Sequence, residues 1–172
     1  MKLDDDDFTL FGLAPRQAQD RSSIDARWRA LQAEVHPDRF AAEGAAAQRV
    51  AMQWALRVNE AYRRLKDPLV RATLLCSQRG VPVQAEDNTA MPADFLQQQM
   101  AWREALDEAE TLPAVEALDA DVRADETRRL AAVTQALDHA DDPAAAARQV
   151  RALMFLARLR QDLARRLQAY ET

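Results

Sequence analysis

The feature that most restricts this chain is its shortage of glycine, with only Gly12, Gly44 and Gly80 in 172 residues. Sheet proteins turn often and draw on glycine to do so, whereas helices rich in Ala, Leu, Arg, Gln and Glu need only brief joints. With 48% hydrophobic and 30% charged residues, the sequence predicts an all-α protein with a real core. Phosphate-cradling patterns such as GxxxxGK[ST] and GxGxxG are absent. A net charge of -5 argues against general nucleic-acid binding. Cys76 is the only cysteine, which excludes an intramolecular disulfide or a cysteine-rich metal site within one chain and suggests a buried, inert thiol. Met1-Lys2-Leu3 followed by four aspartates lacks the apolar stretch of a signal peptide, and no segment approaches a membrane span. The expectation is a cytoplasmic protein without nucleic-acid or membrane partners and without a cofactor.

Taken in order, Asp4 to Asp7 form an acidic run that suits either the approach to a helix N-terminus or a solvated tail, the second being the reading for Asp4 and Asp5. Phe8-Thr9-Leu10-Phe11-Gly12-Leu13 is a compact apolar segment that suits a short helix ended by Gly12 and Pro15. Ser22 or Ser23 can cap a helix from about Ile24 to Val35, in which Ile24, Trp28, Leu31 and Val35 share one face. Pro37 has no amide hydrogen and disfavours helical dihedrals at His36, so this helix should stop near His36 and leave His36 and Asp38 on a turn. After Gly44, the residues Val50, Trp54, Val58, Ala61, Tyr62 and Leu65 repeat at helical spacing until Lys66-Asp67-Pro68. The two helices suit antiparallel packing, with the turn at one tip and Phe8, Leu10, Phe11 and Leu13 closing the side.

Leu69 to Leu75 continue apolar and helical, and Gly80 to Pro92 has no period, so a boundary falls there. The domains expected are 1–75, a connector at 76–92, and 93–172. Three further helices are predicted, from about Ala93 to Ala109, Pro113 to Leu137, and Pro143 to Tyr170, with prolines at their starts and Asp142 as a cap. Counting about 100° per residue puts Phe95, Trp102, Leu106 and Ala109 on one core face and Leu156, Leu159, Leu163, Leu167 and Tyr170 on another. Leu96 and Met100 fall on a flank of their helix beside Gln97, Glu104 and Glu108. Phe155 lies at the margin of the leucine stripe, and Met154 nearly opposite it. Apolar residues off a core face mark either a partner site or ordinary exposed hydrophobes.

No catalytic site follows from these residues. His36 and Asp38 are separated by a rigid proline, with no Ser or Cys placed as a nucleophile nearby. His139 among Asp138, Asp141 and Asp142 has the composition of a metal site, but beside Pro143 it reads as a solvated loop.

The assembled motifs resemble the HscB/Jac-type J-domain co-chaperones of iron-sulfur cluster assembly over nearly the whole chain. The resemblance rests on Phe8 to Leu13, His36-Pro37-Asp38-Arg39-Phe40, Asn59-Glu60-Ala61-Tyr62 with Leu65 and Asp67-Pro68, and Arg71-Ala72 with Leu74-Leu75. In the second half it rests on Phe95-Leu96, Arg103-Glu104, Leu106-Asp107-Glu108, Phe155-Leu156 and Leu159. It implies an all-α architecture: an N-terminal J-domain, built as an antiparallel helical hairpin with short helices, and a C-terminal antiparallel three-helix bundle. It also implies a partner chaperone of the DnaK type, HscA, whose ATPase is stimulated through His36, Pro37 and Asp38. The iron-sulfur scaffold IscU would bind at Leu96, Met100, Glu104, Glu108 and Phe155. Arg27, Arg29 and Arg39 are candidates for electrostatic guidance of the chaperone. The chain departs from the usual pattern at Gln97, where a larger apolar residue is common, and at Ala101, where an acid is common, so Leu96, Met100 and Phe155 should carry more of the binding. The competing readings are a helical regulatory protein whose turn engages no chaperone, and a metal-dependent enzyme using both histidines.

Overall fold

A computed structural model describes residues 2–84 and 89–171. Residues 85–88 of the expected connector lie outside the described residues. Among the described residues there are seven α-helices and no strand. They are α1 (Asp7–Phe11), α2 (Arg21–Val35), α3 (Ala45–Lys66), α4 (Pro68–Gln78), α5 (Ala93–Glu108), α6 (Leu112–Thr134) and α7 (Pro143–Gln168). A 3-10 helix, Pro37–Glu43, joins α2 to α3, and a π turn, Gln135–His139, extends α6. The chain divides into two compact units within α4, between Leu74 and Leu75.

In the first unit α2 and α3 pack as a hairpin, with α1 against both. Its core holds Phe8, Leu10, Phe11, Ile24, Leu31, Val35, Ala51, Val58, Ala61 and Leu65. Two sequence-based expectations need correction. The cap of α2 is Asp20, not a serine: its carboxylate accepts the Ser23 amide at 3.0 Å and the hydroxyls of Ser22 and Ser23. Those bonds, the Ser22 hydroxyl first, hold the Asp20 carboxyl down at about 2. On α3 the buried stripe begins one residue later than counted, at Ala51, and Val50 is exposed. The hairpin seam is polar and aromatic. Trp28 stacks on Tyr62 with centroids 4.7 Å apart, the Trp28 indole donates to Asn59 Oδ1 at 2.9 Å, and the Tyr62 hydroxyl donates to Asp25 at 2.9 Å.

The acidic run is tied into the fold from Asp5 onward and is not a solvated tail there: Asp5 is half-buried, and its carbonyl accepts from Arg57 Nη2 at 2.7 Å. Asp6 caps α1 through the amides of Phe8 and Thr9. Asp7 is buried and held by Arg64 from Nε at 2.6 Å and Nη2 at 3.0 Å, with the Arg57 guanidinium in close charge contact at 2.8 Å. Gly12 then ends α1 at φ 63°, a left-handed dihedral that glycine adopts without the penalty of a side chain.

The second unit is a three-helix bundle in which α6 and α7 make the broadest contact and α5 lies against both. Pro92 precedes α5 at its cap, whereas Pro113 and Pro143 sit inside the first turns of α6 and α7, and Asp142 caps α7 through the Ala145 amide at 2.9 Å. The leucine stripe of α7 is buried at Leu156, Leu159 and Leu163 but not beyond, because the helix ends at Gln168: Leu167 is half-buried and Tyr170 exposed. Leu106 of α5 is also only half-buried. Along α6, Asp125 and Arg129 occupy the buried stripe of Val115, Leu118, Val122 and Val133. Arg129 donates to Asp125 at 2.6 Å and to Gln149 at 3.0 Å, and its guanidinium lies 4.6 Å over the Phe95 ring. A buried charge pair of this kind is tolerable because its hydrogen bonds are satisfied. Cys76, in the last turns of α4, is fully buried with Sγ 3.7 Å from the Pro143 carbonyl, and burial pushes its thiol up.

Candidate functional sites

The first site is the tip of the α2–α3 hairpin. His36 leaves the helix at φ -61° and ψ 126°, the extended conformation that the following proline favours. The chain then turns directly into the 3-10 helix, whose first position is Pro37, where the missing amide costs nothing. The His36 and Asp38 side chains are 55% and 90% exposed. His36 Nδ1 accepts the Asp38 amide at 3.3 Å, which places the proton of the neutral ring on Nε2. The nearest carboxylate oxygen of Asp38 is 3.6 Å from Nδ1, outside hydrogen-bond range. The pair is therefore presented outward as two side chains and is not locked as a dyad.

The three arginines differ. Arg39 turns back and donates to the carbonyls of Ala33 at 2.9 Å and Glu34 at 3.5 Å, closing the open end of α2. Arg27 does the same for α1, donating to the Phe11 carbonyl at 2.8 Å. Hydrogen bonds to carbonyls leave the net positive charge in place, so both still contribute to the local field. Arg29 is exposed, with Asp25 on the same helix feeling its charge. The structural work of Arg27 and Arg39 was not legible in the sequence, because a capping arginine has no signature beyond its proximity to a helix end.

The second site lies along α5. Leu96 and Met100 are 45% and 72% exposed, and Glu104 and Glu108 continue exposed at the same spacing of four. Gln97 and Ala101 are exposed beside them. Phe155 of α7 is half-buried, with its ring edge-on to Phe95 at 5.7 Å and the Arg103 guanidinium over its face at 4.8 Å. The structure thus brings Phe155 against α5 next to Leu96 in sequence, while the direct contacts of its ring are with Phe95 and Arg103. Arg103 entered the sequence reading only through the Arg103-Glu104 pair and was given no role at this site; its position three after Met100 was the available signal. Met154 is half-buried, 3.9 Å from the Gln84 amide. No group of three or more His, Cys, Asp or Glu that could hold a metal occurs among the described residues, His139 and its acidic neighbours included. No helix is long and apolar enough to cross a membrane among those residues.

One helical unit thus displays a His-Pro-Asp turn and the other an exposed apolar strip bordered by carboxylates. Solved structures share the whole fold. The chaperone HscB from Vibrio cholerae matches with a TM-score of 0.81 and 35% identity over 96% of this chain and 99% of its own. The human co-chaperone HscB, at a TM-score of 0.87 and 23% identity over 96% of this chain and 84% of its own, shows the same fold. Residues 91–164 match the family described as the HSCB C-terminal oligomerisation domain. A co-chaperone protein HscB homolog of Burkholderia multivorans is 48% identical over the full chain and 99% of its own length, and that of Bordetella petrii is 50% identical over 93% and 95%. The chain belongs to the HscB co-chaperone family.

Proposed function

We propose that this protein binds the iron-sulfur scaffold IscU, delivers it to the DnaK-type chaperone HscA and stimulates ATP hydrolysis by that chaperone during cluster assembly and transfer. The observation that carries the reading is the exposed His36-Pro37-Asp38 turn at the tip of a helical hairpin in a chain of this family. Catalysis stays with the partner. The co-chaperone contributes contacts that favour the hydrolysis-competent state of HscA over its other state, and only such a difference shifts the equilibrium. Arg27, Arg29 and Arg39 accelerate encounter with the chaperone.

His36→Gln tests the first half. The side chain is exposed and supports no core, so circular dichroism should be unchanged while stimulation of HscA in a steady-state ATPase assay is lost. Normal stimulation by the folded variant would remove the J-domain reading of this turn, and no stimulation by the wild-type protein would favour a helical interaction protein that acts on no chaperone. The second half is tested by titrating IscU into a Leu96→Ala, Met100→Ala, Phe155→Ala variant. Truncating a central apolar contact costs on the order of 1 to 4 kcal/mol, so binding should be lost while basal stimulation of HscA persists. Unchanged binding by the folded triple variant would sink the assignment of α5 and Phe155.

A further inference from the structure

The carboxylates assigned to the scaffold site sit where they weaken their own helix. α5 closes with Glu104, Asp107 and Glu108 and has no basic residue in its last turn. Negative charge at a helix C-terminus opposes the macrodipole, and the last carbonyls there have no partner within the helix. At the other end the cap position is Pro92, which offers no side-chain acceptor. The apolar anchors do not compensate at the C-terminus: Phe95 and Trp102 are buried, but beyond them only half-buried Leu106 faces the bundle before Ala109.

Arginines from the other two helices bracket α5, but a guanidinium only donates, so the end that one can complete is the C-terminus with its open carbonyls. Arg129 of α6 lies with Nη2 3.4 Å from Asp94 in the first turn. Arg151 of α7 donates to the Ala90 carbonyl at 2.9 Å, just before Pro92. Arg166, in the last turn of α7, donates from Nη2 to the carbonyl of Ala109 at 2.8 Å. Ala109 is the C-cap residue of α5 and is itself buried. Arg166 also lines a cleft with Arg103, Leu106, Asp107, Asp162 and Arg165.

We infer that Arg166 is a positioning residue of the scaffold site, holding the acidic end of α5 helical so that Glu104 and Glu108 stay in line with Leu96 and Met100. The inference rests on the reading that α5 carries that site. Arg166 acts from the neighbouring helix, through the Ala109 carbonyl and through its charge at the end of the dipole.

The test combines hydrogen exchange on the full chain with calorimetric titration of IscU. Arg166→Met keeps the aliphatic stem and removes donor and charge. Amides over residues 105–109 should then exchange about tenfold faster, with an unfolding midpoint within about 2 °C of wild type, and IscU affinity should fall several-fold. Arg166→Lys, which keeps the charge, should retain most of both. Adding Glu108→Gln to the Met variant should slow the exchange again, because it removes a carboxylate that opposes the helix. Should Arg166→Met melt globally, Arg166→Gln serves for the same comparison. Unchanged exchange in the variant overturns the capping role whatever the partner does. Faster exchange with undiminished IscU binding, while Leu96→Ala/Met100→Ala loses it, overturns the positioning role and leaves the site assignment standing. Normal binding by Leu96→Ala/Met100→Ala removes the site assignment, and the positioning role with it.

Discussion

Replacing Asp7 by Asn should destabilise the first unit by about 2–3 kcal/mol at neutral pH. Asp7 is 3% exposed and its carboxylate faces two guanidinium groups, with Arg64 bonded to both its oxygens and Arg57 at 2.8 Å. Removing one partner from a fully buried pair costs about 3–5 kcal/mol, and from an exposed pair about 0–1 kcal/mol. Arg57 stands on the buried side of that divide, with its side chain 18% exposed, and Arg64, at 40%, regains much of its hydration. The expected loss therefore falls between the two limits. Its pH dependence has a defined sign. Burial alone would push the Asp7 carboxyl up, but hydrogen bonds and charge from Arg64 and Arg57 outweigh it and hold it below the ordinary value. A depressed folded value contributes stability that is fully present above the unfolded carboxyl's pKa of about 3.9 and is lost as pH falls through the folded value. Urea unfolding of both proteins at several pH values, read by exchange at the amides of α1 and α3, measures the difference. The variant's deficit should be largest at neutral pH and shrink in acid. A deficit below about 0.5 kcal/mol at neutral pH, or one that grows on acidification, would refute the reasoning.

Three further outcomes are expected. Gly12→Ala should cost the first unit about 1 kcal/mol or somewhat more, since φ is 63° and a Cβ there would lie 3.4 Å from the Arg27 guanidinium that caps α1; the urea midpoint checks it. Asn59→Ala strands the Trp28 indole and the Gln32 amide, both of which donate to Asn59 Oδ1, and should cost about 1–2 kcal/mol with a change in Trp28 emission. Arg29→Ala should slow association with HscA in stopped-flow mixing at low salt and leave the hairpin's stability unchanged, with the difference fading as the Debye length drops below about 8 Å; a wild-type rate indifferent to salt would count against electrostatic guidance.

Periodicity made the helices legible because their faces are set by side-chain polarity, and the stop at His36 was legible because proline chemistry is local. What escaped was decided by partners distant in the chain. Nothing in four consecutive aspartates marks Asp7 for burial; that comes from Arg57 and Arg64, seven apart on one side of α3, which reach across to a single carboxylate. Asp20 outcompeted Ser22 and Ser23 for the cap because its carboxylate gathers the Ser23 amide and both hydroxyls at once. A count at fixed pitch placed Val50 where Ala51 lies, one residue out of phase. It also gave no sign of the π turn that widens α6 at Gln135–His139, since hydrogen bonding there departs from the period that the count assumes. At the candidate sites the exposure of Leu96 and Met100 followed from the count, whereas the use of Arg27, Arg39 and Arg166 on backbone carbonyls required coordinates.

The burial of Cys76 gives the second unit a clock. Its sulfur is fully enclosed and its thiol is pushed up, so it reacts with an alkylating reagent only when the surrounding helices part. Because no other cysteine competes, the rate of mass gain on alkylation, compared with that of the unfolded chain, reports the population of the open form of that unit without any added label. A cysteine introduced at an exposed position such as Met52 would react far sooner than Cys76, so a probe can be attached to the first unit while the native thiol stays in place as an internal timer.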